Sequence, residues 1–206
     1  MKALVACIAV SLSAVATASD NSVSAQDALK QHLSTMQQYR AAFSQRVSDA
    51  DGNVVHEATG TLTLARPDKL RWETVTPDAS LLIADGQSVW NIDPFVEQVT
   101  VIAQDKAVSD NPIILLTTSD PAVWDTFTIS YGEDQSSFSV VPLAQGGQIQ
   151  SLSLTFDSNT LVALSMVDSQ SQLSALSFSD IATTFDISTG YFSPEIPDTY
   201  IVDDQR

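Results

Sequence analysis

The sequence predicts a mainly β protein with a minor helical part (α+β): a curved antiparallel sheet of the sandwich or barrel kind, with helices on its concave side. Three observations carry this. From Tyr39 onward, strand-sized runs with apolar–polar alternation are separated by turn signals at short, regular spacing. Ahead of them stands a single segment of helical periodicity. One tetrapeptide, Ile113-Ile114-Leu115-Leu116, is apolar all round and breaks the alternation between two groups of strands.

Taken in order, the chain opens on a leader. Lys2 supplies a positive start, residues 3–16 a short apolar run, and Ala16-Thr17-Ala18 an A-x-A cleavage site. The expected organisation is a cleaved signal peptide over 1–18 and one domain over 19–206, starting at Ser19. The apolar run falls short of the roughly 20 residues that span a bilayer, so no stable membrane insertion is expected. Leu4-Val5-Ala6-Cys7 has the form of a lipoprotein-processing box, but cleavage before Cys7 would leave almost no apolar segment to export. Cys7 is expected to leave with the leader, so the mature chain would hold no disulfide and no thiolate.

The first element of the mature chain is a helix. Ser24 caps it, Asp27 takes its third position, and Ala25, Leu29, Leu33 and Met36 form one apolar face for packing on a sheet. Strands follow over 41–47, 54–65, 69–75, 80–84, 88–92 and 98–103, and after the interruption over 127–131, 137–141, 149–156, 161–167 and 173–178. Asp85-Gly86 and Gly146-Gly147 mark hairpin turns. In the interruption, Asp110-Asn111-Pro112 caps a short helix with proline in its first turn. Asp120-Pro121 starts a second helical turn carrying Val123 and Trp124.

The charge is strongly one-sided. Of 9 basic and 25 acidic residues, only Lys2 leaves with the leader, so the mature chain carries a net −17. Such a surface repels nucleic acid and anionic headgroups. Reactive groups do not converge. His32 belongs to the helix and His56 to a strand, with no zinc spacing between them. No serine stands in G-x-S-x-G, and there is neither a phosphate loop nor a dinucleotide fingerprint. Asp49-x-Asp51-Gly52 has a partial calcium-loop form, but Gly60 stands where the bidentate glutamate belongs; a hairpin turn fits better. The expectation is a chain with no catalytic residues, no metal and no cofactor.

Several segments, in order, carry a resemblance. Phe43-Ser44-Gln45 follows the helix, and Arg66-Pro67 precedes Leu70-Arg71-Trp72-Glu73. Asp85-Gly86 leads through Trp90 to Asp93-Pro94-Phe95-Val96-Glu97-Gln98, and the chain closes on Val202-Asp203-Asp204-Gln205-Arg206. Together they resemble the periplasmic outer-membrane lipoprotein carrier (LolA) family over essentially the whole mature chain. The resemblance implies an incomplete β-barrel of about eleven strands with a short-helix lid over an apolar cavity. It implies a monomeric chaperone in the periplasm of a Gram-negative bacterium. Such a chaperone takes triacylated lipoproteins from an inner-membrane ABC transporter, shields their acyl chains, and delivers them to an outer-membrane receptor.

The resemblance also assigns residues. Arg66 becomes a lid latch, where unaided reading would leave a strand-end arginine in solvent. Ile113, Ile114, Leu115 and Leu116 match the lid; as plain residues they could equally form a core helix. Leu70, Trp72 and Trp90 are placed with the cavity, although the two tryptophans could instead fill the other face of the sheet. Leu70 stands where many members carry phenylalanine. Phe95 and Glu97 are candidate partner contacts. The alternatives are a half-barrel carrier of another amphiphilic lipid and a periplasmic domain that senses lipoproteins without moving them.

Overall fold

The structure, a computed structural model, describes residues 23–107 and 112–206. The leader, Cys7, the cleavage after Ala18 and the Asp110-Asn111 cap lie outside the described residues. Helix α1 (Ala25–Thr35) begins where its cap predicts: Ser24 Oγ accepts the Asp27 amide at 3.1 Å and donates to the Asp27 carboxylate at 2.7 Å. Leu29, Leu33 and Met36 are buried against the sheet, as the apolar stripe requires.

Six strands follow: β1 (Gln38–Ser48), β2 (Val54–Ala65), β3 (Lys69–Thr76), β4 (Ser80–Asp85), β5 (Ser88–Asp93) and β6 (Gln98–Ala103). Next come α2 (Gln104–Ala107), a 3-10 helix (Pro112–Leu116) and α3 (Pro121–Trp124), the last capped by Asp120. The second group is β7 (Phe127–Tyr131), β8 (Ser137–Pro142), β9 (Ile149–Asp157), β10 (Thr160–Asp168) and β11 (Leu173–Ala182). These eleven strands match the sequence expectation within a few residues.

A twelfth strand, β12 (Ile201–Asp204), does not alternate and is exposed throughout, so periodicity cannot reveal it. It pairs in parallel with β6, Ile201 opposite Gln98 and Asp204 opposite Val101, and is the sole parallel neighbour in the described sheet. The order is β12-β6-β5-β4-β3-β2-β1-β11-β10-β9-β8-β7. Strands β12 and β7 form the two ends, and the barrel stays incomplete.

Strand alternation gives the sheet two faces of different chemistry. Tyr39, Phe43, Leu62, Leu64, Leu70 and Val89 face inward and join Phe138, Leu154 and Phe156 from the other half in one continuous core with α1, the 3-10 helix and Trp124. Gly60 permits the close aromatic packing at the middle of this face. A Cβ there would collide with the Glu73 carbonyl and with the Phe43 ring, which packs on Trp72 at 5.2 Å.

The outward faces of β1 to β6 are crossed by the tail after β11. Phe185 and Tyr191 lie against Arg40, with guanidinium-to-ring distances of 4.0 and 5.5 Å. Tyr191 also meets Thr63 and Arg71. Phe192 packs on Ile83 and Ala65, while Ile196 and Tyr200 pack on the cluster of Ile92, Val99 and Val101. Having crossed from one side of β1 to β6, the chain reaches the sheet's edge and adds β12 there.

Candidate functional site

The concave side is where the sequence-predicted residues converge. Ile113, Ile114, Leu115 and Leu116 are all buried in the core of the half-barrel. Proline at the head of the segment and four apolar side chains in one tight turn leave it no polar face. It is stable only when the sheet surrounds it. Thr117 and Thr118, also buried, close the turn by donating their amides to the Ile114 carbonyl.

A short helix leaves its last carbonyls without helical partners, and here the β2–β3 turn supplies donors. Arg66 Nη1 donates to the Leu116 carbonyl at 2.6 Å, and Nη2 donates to the Thr118 carbonyl at 2.8 Å. The Asp68 amide donates to the intervening Thr117 carbonyl at 3.1 Å. Asp68 holds a left-handed backbone (φ 62°), a conformation that aspartate tolerates better than most residues. Burial lowers the proton affinity of the Arg66 guanidinium, and the charge of Asp68 acts the other way. Arginine retains its charge under such pressure.

Leu70 is fully buried among the inward residues, beside Ala84 across the β3–β4 pair. Trp72 lines a cleft of about 220 Å³ with Leu82, Ile113 and Met166. That is smaller than ordinary ligand pockets of roughly 300–1,000 Å³, and Ile113 of the 3-10 helix forms part of its wall. Thr74, Ser80 and Asn91 belong to this cleft, and Thr74 and Ser80 also border a second, of about 420 Å³, whose mixed lining includes Gln45, His56, Ala58, Ala79 and Phe95.

Trp90 is corrected. Of the two faces the sequence leaves open to it, the structure gives the outer one instead of the cavity: Val89 and Asn91 face inward and Trp90 faces out, opposite Ile83. Its indole donates to Asp85 at 2.8 Å, and Arg206 lies 5.5 Å from its ring, so it anchors the chain end. Burial opposes ionisation of Asp85, but the Ser88 and Gln87 amides, the Trp90 indole and Lys69 outweigh it and hold the carboxyl below its usual range. Phe95 and Glu97 sit on the β5–β6 turn. Phe95 is 89% exposed, and the Glu97 carbonyl accepts the Ile201 amide that starts β12.

His32 stacks on Phe156 at 4.9 Å and meets Phe138 edge-on, a packing role. No group of three or more metal-ligating side chains occurs among the described residues. Sequence reasoning missed Gln104, a buried glutamine that accepts the Gly86 amide from the β4–β5 turn and donates to the Asp68 carbonyl of the β2–β3 turn. It also missed Met166. A lone glutamine at a strand end carries no periodic or motif signal that could have found it.

A family model described as outer membrane lipoprotein carrier protein LolA matches residues 34–195. The chain is 34% identical to the outer-membrane lipoprotein carrier protein of Idiomarina loihiensis over 205 residues, covering 100% of both. It is 32% identical to the protein of that name from Shewanella loihica, covering 87% of this chain and 85% of the relative. Among solved structures, a LolA superfamily protein from Nitrosomonas europaea superimposes with a TM-score of 0.51 at 11% identity, covering 84% of this chain and 99% of that one. An uncharacterized conserved protein from Thermus thermophilus gives the same score at 10% identity, over 87% and 98%. Those two structural likenesses speak to the fold alone.

Proposed function

The chain belongs to the outer membrane lipoprotein carrier protein (LolA) family, and from that premise we propose that its half-barrel carries triacylated lipoproteins across the periplasm. In this reading the 3-10 helix is a lid and Arg66 its latch. The carrier loads from an inner-membrane ABC transporter and unloads to an outer-membrane receptor lipoprotein. It is a monomeric binding protein without catalysis or cofactor. The mature carrier domain spans 19–206, exported by a leader removed after Ala18.

One observation carries the reading: four fully apolar lid residues fill the concave face, yet the lid's last carbonyls are held by a single turn. The energetics suit exchange. Burying four such side chains is worth about 1.5–3 kcal/mol each, roughly 6–12 in all. One acyl chain of about fifteen methylenes gains about 12 kcal/mol at ~0.8 per methylene. The lid thus matches a single acyl chain as a competitor for the apolar surface, while three chains together, at roughly 36 kcal/mol, would displace it. Charged hydrogen bonds of about 1.5–3 kcal/mol set how firmly the lid closes when the carrier is empty or only partly loaded. An empty cavity would be costly, and lid collapse removes it.

Native mass spectrometry of the protein isolated from periplasm tests this. A co-purifying triacylated protein is the expected result. A free lipid would instead make it a carrier of another amphiphile. Protein that never carries lipid, even when the cargo is overproduced, would favour a sensing domain.

A further inference from the structure

The lid bonds depend on one turn, and that turn has its own support. Asp68 uses both of its peptide groups: its N–H reaches the Thr117 carbonyl of the lid, and its C=O accepts Gln104 Nε2 at 2.9 Å. The same Gln104 accepts the Gly86 amide on Oε1 at 3.0 Å, and its own backbone N–H donates to the Gln87 carbonyl at 2.9 Å. One of its side-chain partners can only donate and the other only accept, so the amide orientation is fixed. Gln104 is buried, and each arm satisfies one polar end of its amide. Asp68 sits in a left-handed conformation that needs outside restraint, and the bonds to its two peptide groups supply it.

We propose that Gln104 is a positioning residue for the lid: its side chain ties the β4–β5 turn to Asp68 and so sets the donors that close the lid over the lipid site. The inference rests on the lid reading above and adds a residue to it. Arg66 touches the lid directly; Gln104 acts through Asp68. A neutral amide is suited to this role. It supplies a donor and an acceptor without placing a second charge beside Arg66 and Asp68.

The test uses Gln104→Met and Gln104→Glu, with Arg66→Leu as reference, titrated with 11-(dansylamino)undecanoic acid while hydrogen exchange is followed at Thr117 and Thr118. Gln104→Met removes both arms and should tighten probe binding and speed exchange of those amides about three- to tenfold, with the urea midpoint nearly unchanged. Gln104→Glu keeps the acceptor for Gly86 but loses the donor to Asp68, so it should open the lid similarly at neutral pH. Acidifying that variant to about pH 4 regenerates a donor and should recover part of the closure. In an Arg66→Leu background, Gln104→Met should add less than it does alone, because both act on one turn.

Gln104 variants that match wild type while Arg66→Leu opens the lid would overturn the inference and leave the latch intact. Should Arg66→Leu also change nothing, both fall together. Lid exchange that merely follows a lowered urea midpoint, with no acid recovery in Gln104→Glu, would make Gln104 an ordinary structural residue and overturn the proposal as well.

Discussion

Two segments lie against this sheet, one on each face, and they are held in opposite ways. The 3-10 segment on the concave side is almost wholly buried, yet among the described residues its hydrogen bonds to the barrel converge on Arg66 and Asp68. The tail on the convex side is largely exposed, yet it is pinned along its length. Arg40 and Arg71 stack on Tyr191, Thr63 meets the Tyr191 hydroxyl, Phe192 fills a pocket over Ile83, and β12 pairs with β6. Burial alone does not make a segment permanent. Many separate anchors must break together, whereas a few anchors at one end can let a buried segment leave as a unit. In the proposed carrier the concave attachment would suit exchange with lipid, and the convex one a fixed brace.

The largest effect that could break this contrast is on the tail. Phe192→Ala removes a buried ring and should lower global stability by about 3 kcal/mol in urea denaturation, with dansylated fatty-acid binding unchanged. Tighter probe binding in that variant would mean that the faces are not independent. Arg66→Leu should do the reverse. Its expected cost of about 2 kcal/mol falls on lid closure, so exchange at Thr117 and Thr118 should speed about 30-fold with little shift in the urea midpoint. In a purified handover assay this variant should still take up lipoprotein but release it poorly to the receptor. The lid that would re-close and help displace the cargo has lost its hold. Normal release would remove the latch.

The smallest effect concerns the chain end. The Arg206 side chain bonds Asp204 and pulls its carboxyl down to about 2 from its usual 3.8. A depressed carboxyl stabilises the folded form above the unfolded value and loses that contribution as pH falls through the folded one. The β12 amides, including the Gln205 amide held by the Val101 carbonyl, should therefore fray between about pH 4 and pH 2. Arg206→Ala should abolish that pH dependence, and salt should weaken it in wild type. Fraying that ignores both would assign β12 to backbone pairing alone.

Eleven of the strands, α1 and its cap, and the interrupting helix were legible in the sequence because each rests on local spacing. Leu62 and Leu64 alternate with threonines, Leu29 and Leu33 recur at a helical interval, and Ser24 stands ahead of Asp27. The site was legible only in part. Arg66 and the four apolar residues could be paired through the family pattern, whereas Gln104 and Met166 have no local signature. Trp90 shows the limit of reading a face from one residue. A tryptophan fits either side of a strand, and the side was decided by where its neighbours Val89 and Asn91 point.

By itself, then, the sequence determined a mainly β chain with one amphipathic helix and one segment too apolar to stand free. Those features are set by side-chain periodicity over a few residues. Tertiary structure alone decided that the sheet stays open, that the tail crosses its outer face to add a parallel strand, and that three lid carbonyls meet Arg66 and Asp68. Each of these joins residues far apart in the chain, and pairing at such separation depends on the whole sheet's curvature and register. The 3-10 segment sits on both sides of this divide: its need for a cover was written in four consecutive residues, and the means of fastening it was supplied by a turn some fifty residues earlier.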